Sequence, residues 1–374
     1  MKYIDEFRDG ELARAMGATI RAEALPGKVY RLMEFCGGHT HAIYRYGLHD
    51  LLPENIQLVH GPGCPVCVLP TERLDLAVAV AKMPNVILCT YGDMLRVPGS
   101  RGVSLIKAKA EGADVRMVYS VIDALKVAVD NPSKEVVFLA IGFETTTPPT
   151  ASAIKRAQAK GIKNFSALCN HVLTPQPLRV ILSDAGGGPR IDGIIGPAHV
   201  STVIGAEPYE YVAKEFHRPV VIAGFEPLDM MQAILQLIRQ LNENRSEVEV
   251  QYKRCVLPEG NKAAQDLMSE VFELRDTFAW RGLGEIPESA VKIRPAFAAF
   301  DAEVKLQTAK LDVPPVQEGK GCSCGDILRG LKRPIDCKLF GTACTPESPM
   351  GACMVSSEGA CAAYYSYGRF RDVR

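Results

Sequence analysis

Two α/β domains of βαβ type, with mostly parallel sheets flanking a cleft, then a smaller cysteine-rich C-terminal domain: this is the architecture the sequence predicts. Three observations lead there. Over residues 28–245, short β-rich runs alternate with amphipathic helical stretches, the pattern of strands joined by crossover helices. The chain has 374 residues, which at about 150 per domain makes two or three domains. Six of its 12 cysteines fall between positions 322 and 361, in a Pro/Gly-rich tail with little apolar periodicity.

Strands are expected over 29–34, 56–60, 86–90, 115–119, 136–141, 165–169, 191–195 and 220–223, where β-branched and other apolar residues cluster. Helices are expected between them, over 71–82, 123–129, 150–160 and 228–241. So many strands would crowd a single open sheet. The sequence therefore divides into a first domain, 1–120, a second, 121–241, and a third, 242–374, opened by the polar break NENRSEVEV. That third region carries one helical stretch, 262–275, the single tryptophan Trp280, and the cysteine-rich tail.

Apolar residues make up 47% and charged residues 23%, which argues against disorder and against a fibrous repeat. Lys+Arg and Asp+Glu are both 43, so nothing in the overall charge favours nucleic acid or an acidic membrane as a partner. The start, MKYIDEFRDGELARAMG, is too polar for a secretory signal, and the apolar run 136–141 is far short of the roughly 20 residues that span a bilayer. The expectation is a cytoplasmic protein. In that reducing compartment, cysteine clusters point to metal or redox sites before structural disulfides.

The unusual residues come just after the expected strands. CGGHTH follows the first, GPGCPVC the second and Tyr91-Gly92-Asp93 the third; later come FETTTPP, Asn170-His171, GPAH and GFEP. Open α/β sheets bind ligands at the carboxyl ends of their strands, so these loops are candidates to line one cleft. Cys64 and Cys67 are spaced to grip one metal or to form a local disulfide. Cys36 precedes two glycines that let the backbone approach a ligand, then His39 and His41, of which His39 is the stronger candidate to orient or protonate what binds at the sulfur. Cys36, Cys64 and Cys67 together make a three-thiolate set suited to zinc or low-valent iron, with positions left open for exogenous groups.

His171 and His199 also follow strands and are either satisfied structural histidines or acid/base groups. Cys89, Cys169 and Cys255 are expected in the core. The threonines Thr145, Thr146 and Thr147 either hydrogen-bond a polar ligand or close the turn into a helix. No GxxxxGK[ST] or GxGxxG occurs, so a phosphate-cradling loop has no support.

In the tail, Cys322, Cys324, Cys337, Cys344, Cys353 and Cys361 stand without any histidine among them, which fits a four-thiolate iron–sulfur cluster better than a zinc finger. Four ligands leave two thiols over, and such a pair beside a one-electron cluster can cycle between dithiol and disulfide. Cys353 and Cys361 each follow Gly-Ala, so spacing does not separate their roles.

FCGGHTH, GPGCPVC, GFETTTPPT, GPAHVSTVIG and the six-cysteine tail together resemble the HypD family of hydrogenase maturation factors, over essentially the whole chain. The resemblance implies a scaffold that builds the Fe(CN)2CO unit of [NiFe] hydrogenases with a small HypC-type chaperone and a HypE-type partner that donates cyanide from a thiocyanate. It implies a mononuclear iron held chiefly by Cys36, with Cys64 and Cys67 as further iron-site or redox thiols. The tail resembles the cluster region of ferredoxin–thioredoxin reductase. On that likeness Cys322, Cys337, Cys344 and Cys361 would hold a [4Fe–4S] cluster, and Cys324 and Cys353 would be the redox pair. A stand-alone thiol–disulfide reductase and a zinc-stabilised binding module are the alternatives from other classes. The first gives CGGHTH and FETTTPP no task, and the second predicts no visible absorption.

Overall fold

The computed structural model describes residues 5–183, 190–313, 315–316 and 321–368. Nine strands form two open sheets: β1 (Tyr30–Glu34), β2 (Ile56–His60), β3 (Val86–Thr90), β4 (Asp114–Met117), β5 (Glu135–Gly142), β6 (Phe165–His171), β7 (Gly193–Pro197), β8 (Val220–Ala223) and β9 (Val248–Val250). One sheet has the order β2-β1-β7-β8-β9, the other β4-β3-β5-β6, and every neighbouring pair in both is parallel. The fold is α/β with parallel sheets and a cysteine-rich C-terminal end, as the alternation in the sequence predicts.

The two sheets are not consecutive halves of the chain. The chain starts in the five-stranded sheet with β1 and β2, builds the whole four-stranded sheet with β3 to β6, and returns to the first with β7, β8 and β9. The expected division at residue 120 therefore runs through the four-stranded sheet, because β3, which pairs with β4 on one side, pairs with β5 on the other. A crossover connection leaves open which sheet its next strand joins, so sequence order cannot decide this. The boundary at 242 also misses a strand: Val248–Val250, inside the polar break, pairs with β8 at the sheet's edge. An edge strand with one solvated face tolerates the glutamate between its two valines.

Buried residues dominate the central strands. β3, β6, β7 and β8 are buried throughout, and β5 is buried from its second residue on. Near-continuous apolar runs of this kind mark parallel strands covered on both faces. Beyond β9, a helix (Lys262–Val271) passes directly into β10 (Phe272–Leu274), so the helical stretch expected to 275 ends early. β11 (Thr277–Trp280) and β12 (Gly284–Pro287) form an antiparallel pair, and β13 (Val291–Ile293) pairs antiparallel with β10. β13 packs on β6, so this segment covers the four-stranded sheet. The tail is built from short helices, including Cys324–Leu328 and Ala360–Ala363. No helix among the described residues is long and apolar enough to cross a membrane.

Candidate functional site

The carboxyl ends of β1, β3, β4, β5 and β7 open onto one cleft of about 420 Å³. Cys36, Gly63, Pro65 and Val66 line it from one side and Tyr91, Asp93, Thr145 and Thr146 from the other. Pro197, His199 and the tail residues Ser356, Ser357 and Glu358 complete the wall. Strand ends of both sheets thus meet at one place, where open α/β sheets bind ligands.

Cys36 stands between β1 and the helix Gly37–Tyr46, with extended backbone (φ −155°, ψ 128°) at the helix's N-cap position. CGGHTH is therefore the first turn of a helix and not a free loop. Glycine is required on both sides of this thiol. A Cβ on Gly63 would lie 2.5 Å from Cys36 Cα, and one on Gly37 would lie 2.6 Å from the carbonyl oxygen of Glu358. Burial pushes the Cys36 thiol well above its ordinary pKa, and the negative charges of Glu358 and Glu34 push it further. The backbone N–H groups of Gly38 and His39 act in the opposite sense. A bound cation would favour the thiolate by the same electrostatics.

Cys64 and Cys67 are joined in a disulfide, with Cα atoms 5.2 Å apart. Of the two options left open by their spacing, the structure contains this one. Pro65 begins the short helix Pro65–Val68, and Cys67 N donates to Cys64 Sγ at 3.2 Å. Among the described residues, no three His, Cys, Asp or Glu side chains converge into a group that could hold a metal ion. The expected set of Cys36, Cys64 and Cys67 is thus not drawn together as three metal ligands.

All six tail cysteines line one small pocket, with Ile327, Leu339, Phe340, Gly351 and Met354. Cys324 Sγ and Cys353 Sγ are 2.6 Å apart. The other four, Cys322, Cys337, Cys344 and Cys361, line the same pocket. Burial raises the Cys361 thiol well above the ordinary value, and the charges of Cys324, Cys322, Cys344 and Cys337 raise it further. Met350 N also donates to Cys344 Sγ at 3.3 Å. Hydrogen bonds to sulfur, all-thiol donors and apolar walls are the donor chemistry of an iron–sulfur site, while the side chains as they stand are not drawn into a set of three or more ligands among the described residues.

The segments that carry the thiols pack together. The helix Pro65–Val68 packs against the turn Ala352–Met354 and against the helix Cys324–Leu328. Cys64, Cys67, Cys324, Cys337, Cys344, Cys353 and Cys361 belong to one buried apolar cluster. Pro65 and Val66, between the bridged cysteines, face the cleft beside Cys36.

The family described as "HypD: Hydrogenase formation hypA family" matches residues 11–368. The chain is 63% identical over 378 residues to the "Hydrogenase maturation factor HypD" of Cupriavidus necator, covering 100% of this chain and 99% of the relative. It is 62% identical over 376 residues to the "Hydrogenase maturation factor HypD2" of Bradyrhizobium diazoefficiens, covering 100% and 98%. The "Hydrogenase expression/formation protein HupD" of Azotobacter chroococcum is also 62% identical over 376 residues, with the same coverage. This chain belongs to the HypD family.

In this HypD-family chain His39 does not face the cleft. It is fully buried, its Nε2 lies 2.9 Å from Ala223 O, and its ring packs 4.9 Å from that of Phe225. Burial pushes its pKa down to about 4. His199 lines the cleft instead, with its ring centroid 3.9 Å from Phe225. His171 is buried, with Nε2 2.9 Å from Thr150 Oγ1, and burial lowers it to about 4. Cys89 and Cys169 are in the core as expected, but Cys255 is exposed, because it lies in a turn beyond the last sheet strand.

FETTTPPT divides between its two expected roles. Thr146 and Thr147 hydroxyls each donate to Phe143 O at 3.1 Å and close the turn into the helix Thr147–Ala159, while Thr145 and Thr146 border the cleft. Glu144 is buried and accepts from Thr174 N at 2.8 Å and Thr174 Oγ1 at 2.9 Å. Burial nevertheless pushes its carboxyl up to about 7.

Tyr91-Gly92-Asp93, expected from its place after a strand to line the cleft, does so in this HypD-family chain, whereas Glu34, His60 and Glu358 were passed over. Glu34 is fully buried behind Cys36 and His60 is its partner. Asp93 and Glu358 are acidic groups on the cleft wall, and burial, then the Asp93 charge, raises Glu358. A glutamate at the end of the strand YRLME, directly after Leu32-Met33 and before the Phe35-Cys36 turn, was the available signal for Glu34. Glu358 carried none, since only folding brings residue 358 to residue 37.

Proposed function

We propose that this HypD-family chain serves hydrogenase maturation as the scaffold on which the Fe(CN)2CO unit of [NiFe] hydrogenases is assembled. The observation that supports it is the packing of the thiol-bearing segments: a six-cysteine pocket holding the close Cys324/Cys353 pair, the helix of the Cys64–Cys67 disulfide against that tail, and Cys36 at the cleft edge. Iron is the cargo, taken at Cys36 and shared with a HypC-type small chaperone. A HypE-type partner presents a thiocyanate in the cleft.

Cys322, Cys337, Cys344 and Cys361 would hold the [4Fe–4S] cluster. When bound, such a cluster supplies electrons singly. The chain's own thiols then store them in pairs. A Cys324 or Cys353 thiolate attacks the Cys64–Cys67 disulfide, and its neighbour resolves the mixed disulfide. Two electrons pass, leaving Cys64 and Cys67 as thiols and Cys324–Cys353 oxidised. A donor R–S–CN that leaves cyanide on iron and departs as R–SH takes up two electrons and one proton. Re-oxidation of Cys64 and Cys67 yields two electrons and two protons, so one proton is released to the cleft. Asp93 and Glu358 are the acidic groups on that wall.

Infrared spectroscopy of the anaerobically purified chain with its co-expressed small partner tests this. Iron-bound cyanide and carbonyl stretches are expected, and Cys36→Ala should remove them. Bands that survive in Cys36→Ala would take the iron away from Cys36. A stand-alone thiol–disulfide reductase uses the same thiol series, and turnover of a protein disulfide without iron at Cys36 would favour it.

A further inference from the structure

Behind Cys36, on the side away from the cleft, a buried polar chain runs through the five-stranded sheet. β1 and β2 pair in register so that Glu34 lies directly beside His60. Glu34 is fully buried, yet its carboxylate accepts three hydrogen bonds. Oε2 takes the backbone N–H of Cys36 at 3.1 Å, while Oε1 takes the Thr40 hydroxyl and, at 2.7 Å, His60 Nδ1. The other ring nitrogen of His60, Nε2, lies 2.7 Å from the Tyr44 hydroxyl. Thr40 and Tyr44 are four residues apart on the helix that follows Cys36, so both point from one face to the same pair. None of Glu34, His60 or Tyr44 lines the cleft.

A buried carboxylate is costly unless its lone pairs are filled, and apolar residues of similar shape are often more stabilising. The geometry suggests what this one does. Its bond to Cys36 N fixes the peptide that carries the thiol, and its bonds to Thr40 and, through His60, to Tyr44 fix the first two turns of the helix behind that peptide. Tyr44 then packs edge-on against Tyr364 at 5.1 Å, and Tyr364 against Phe340, a wall residue of the six-cysteine pocket, at 5.5 Å. The chain thus spans from the cleft thiol to the tail.

We propose that Glu34, His60 and Tyr44 are positioning residues for Cys36: they hold its sulfur at the cleft edge from behind, without touching what binds there. The purpose of this positioning rests on the proposed role of Cys36, but the test does not need iron. It follows the rate at which iodoacetamide alkylates Cys36 in the iron-free full-length chain, by mass spectrometry of the Cys36 peptide, with melting temperature alongside.

Glu34→Gln keeps the shape but has only one acceptor oxygen, so its amide N–H₂ must face one of the three converging donors. The expected result is a change in the Cys36 rate on the order of tenfold or more, as small misplacements of reacting groups produce, with the other cysteines unaffected. Tyr44→Phe should move the rate in the same direction. His60→Gln, which can still donate to Glu34 and accept from Tyr44, should restore most of what His60→Ala loses.

Rates within about twofold of the wild type in cooperatively folded Glu34→Gln and Tyr44→Phe, or a His60→Gln no better than His60→Ala, would overturn the proposal. If Glu34→Gln does not fold, the His60 pair decides alone. Failure of the scaffold role would instead appear as infrared bands that persist in Cys36→Ala, with these alkylation rates unchanged in meaning.

Discussion

Replacing Gly63 by alanine puts a methyl carbon 2.5 Å from Cys36 Cα and 2.6 Å from the carbonyl carbon of Phe35, well inside the 3.4 Å at which ordinary contact begins. All of these neighbours are backbone, so no side chain can swing away, and the Cys36 peptide must shift by nearly an ångström. Overpacking of this kind costs about 1–3 kcal/mol. For a chain of this size that lowers the melting temperature by a few degrees. The functional loss should be larger, since a misplacement of about 1 Å at a reacting group can cost on the order of a hundredfold. Gly27→Ala is the matched control: Gly27 has φ +77° and nothing within 4 Å, so alanine there is strained but touches nothing. A left-handed conformation costs a non-glycine residue roughly 1–2 kcal/mol. Both variants are compared by differential scanning calorimetry and by infrared band intensity in the partner complex. Gly63→Ala should lose the iron-ligand bands and Gly27→Ala keep them, at similar stability. Equal bands in the two variants would refute the claim that close approach at Gly63 sets the Cys36 position.

Two further outcomes follow from the thiol series and from a buried carboxylate. Cys324→Ser should keep cluster absorbance but leave Cys64–Cys67 oxidised under a reduced viologen that opens it in the wild type; equal iodoacetamide labelling of Cys64 and Cys67 in both proteins would end the proposed electron route. Glu144 has its folded pKa raised from 4.5 to about 7 by burial, so between those values the folded state binds more protons than the unfolded one, and stability falls as pH rises through that window. Glu144→Gln removes this term, and its stability relative to the wild type should climb from pH 4.5 and level off near 7, by up to about 3 kcal/mol; parallel denaturation profiles across that range would show that Glu144 stays ionised in the fold.

Much of the site was legible because its signals are local. Apolar runs of parallel-strand length located β3, β5, β6 and β8, and CGG, GPG and FET, which follow β1, β2 and β5, lie where the cleft forms. Strand-to-helix turns in α/β folds are short, so whatever follows a strand sits at its carboxyl end. The same locality explains the errors. CGGHTH and CPVC look like loops because glycine and proline disfavour helix interiors, yet both begin helices, where proline at the first position and glycine in close packing are tolerated. His39 was singled out for its nearness in sequence to Cys36, but Cys36 is the extended N-cap residue and His39 a helical one, so helical spacing does not align their side chains. It turns into the sheet toward Ala223, and the cleft takes its histidine from residue 199.

The amino-acid pattern by itself determined the α/β class, the strand ends that carry chemistry, and the inventory of thiols, since these depend on periodicity and on residues adjacent in the chain. Only the tertiary structure decided the neighbours: that β1 lies between β2 and β7, that the sulfurs of Cys324 and Cys353 approach to 2.6 Å, that Glu358 closes on Gly37, and that Glu34 meets His60. Each of these joins segments far apart in sequence through packing and strand register, and no short-range preference encodes such a pairing.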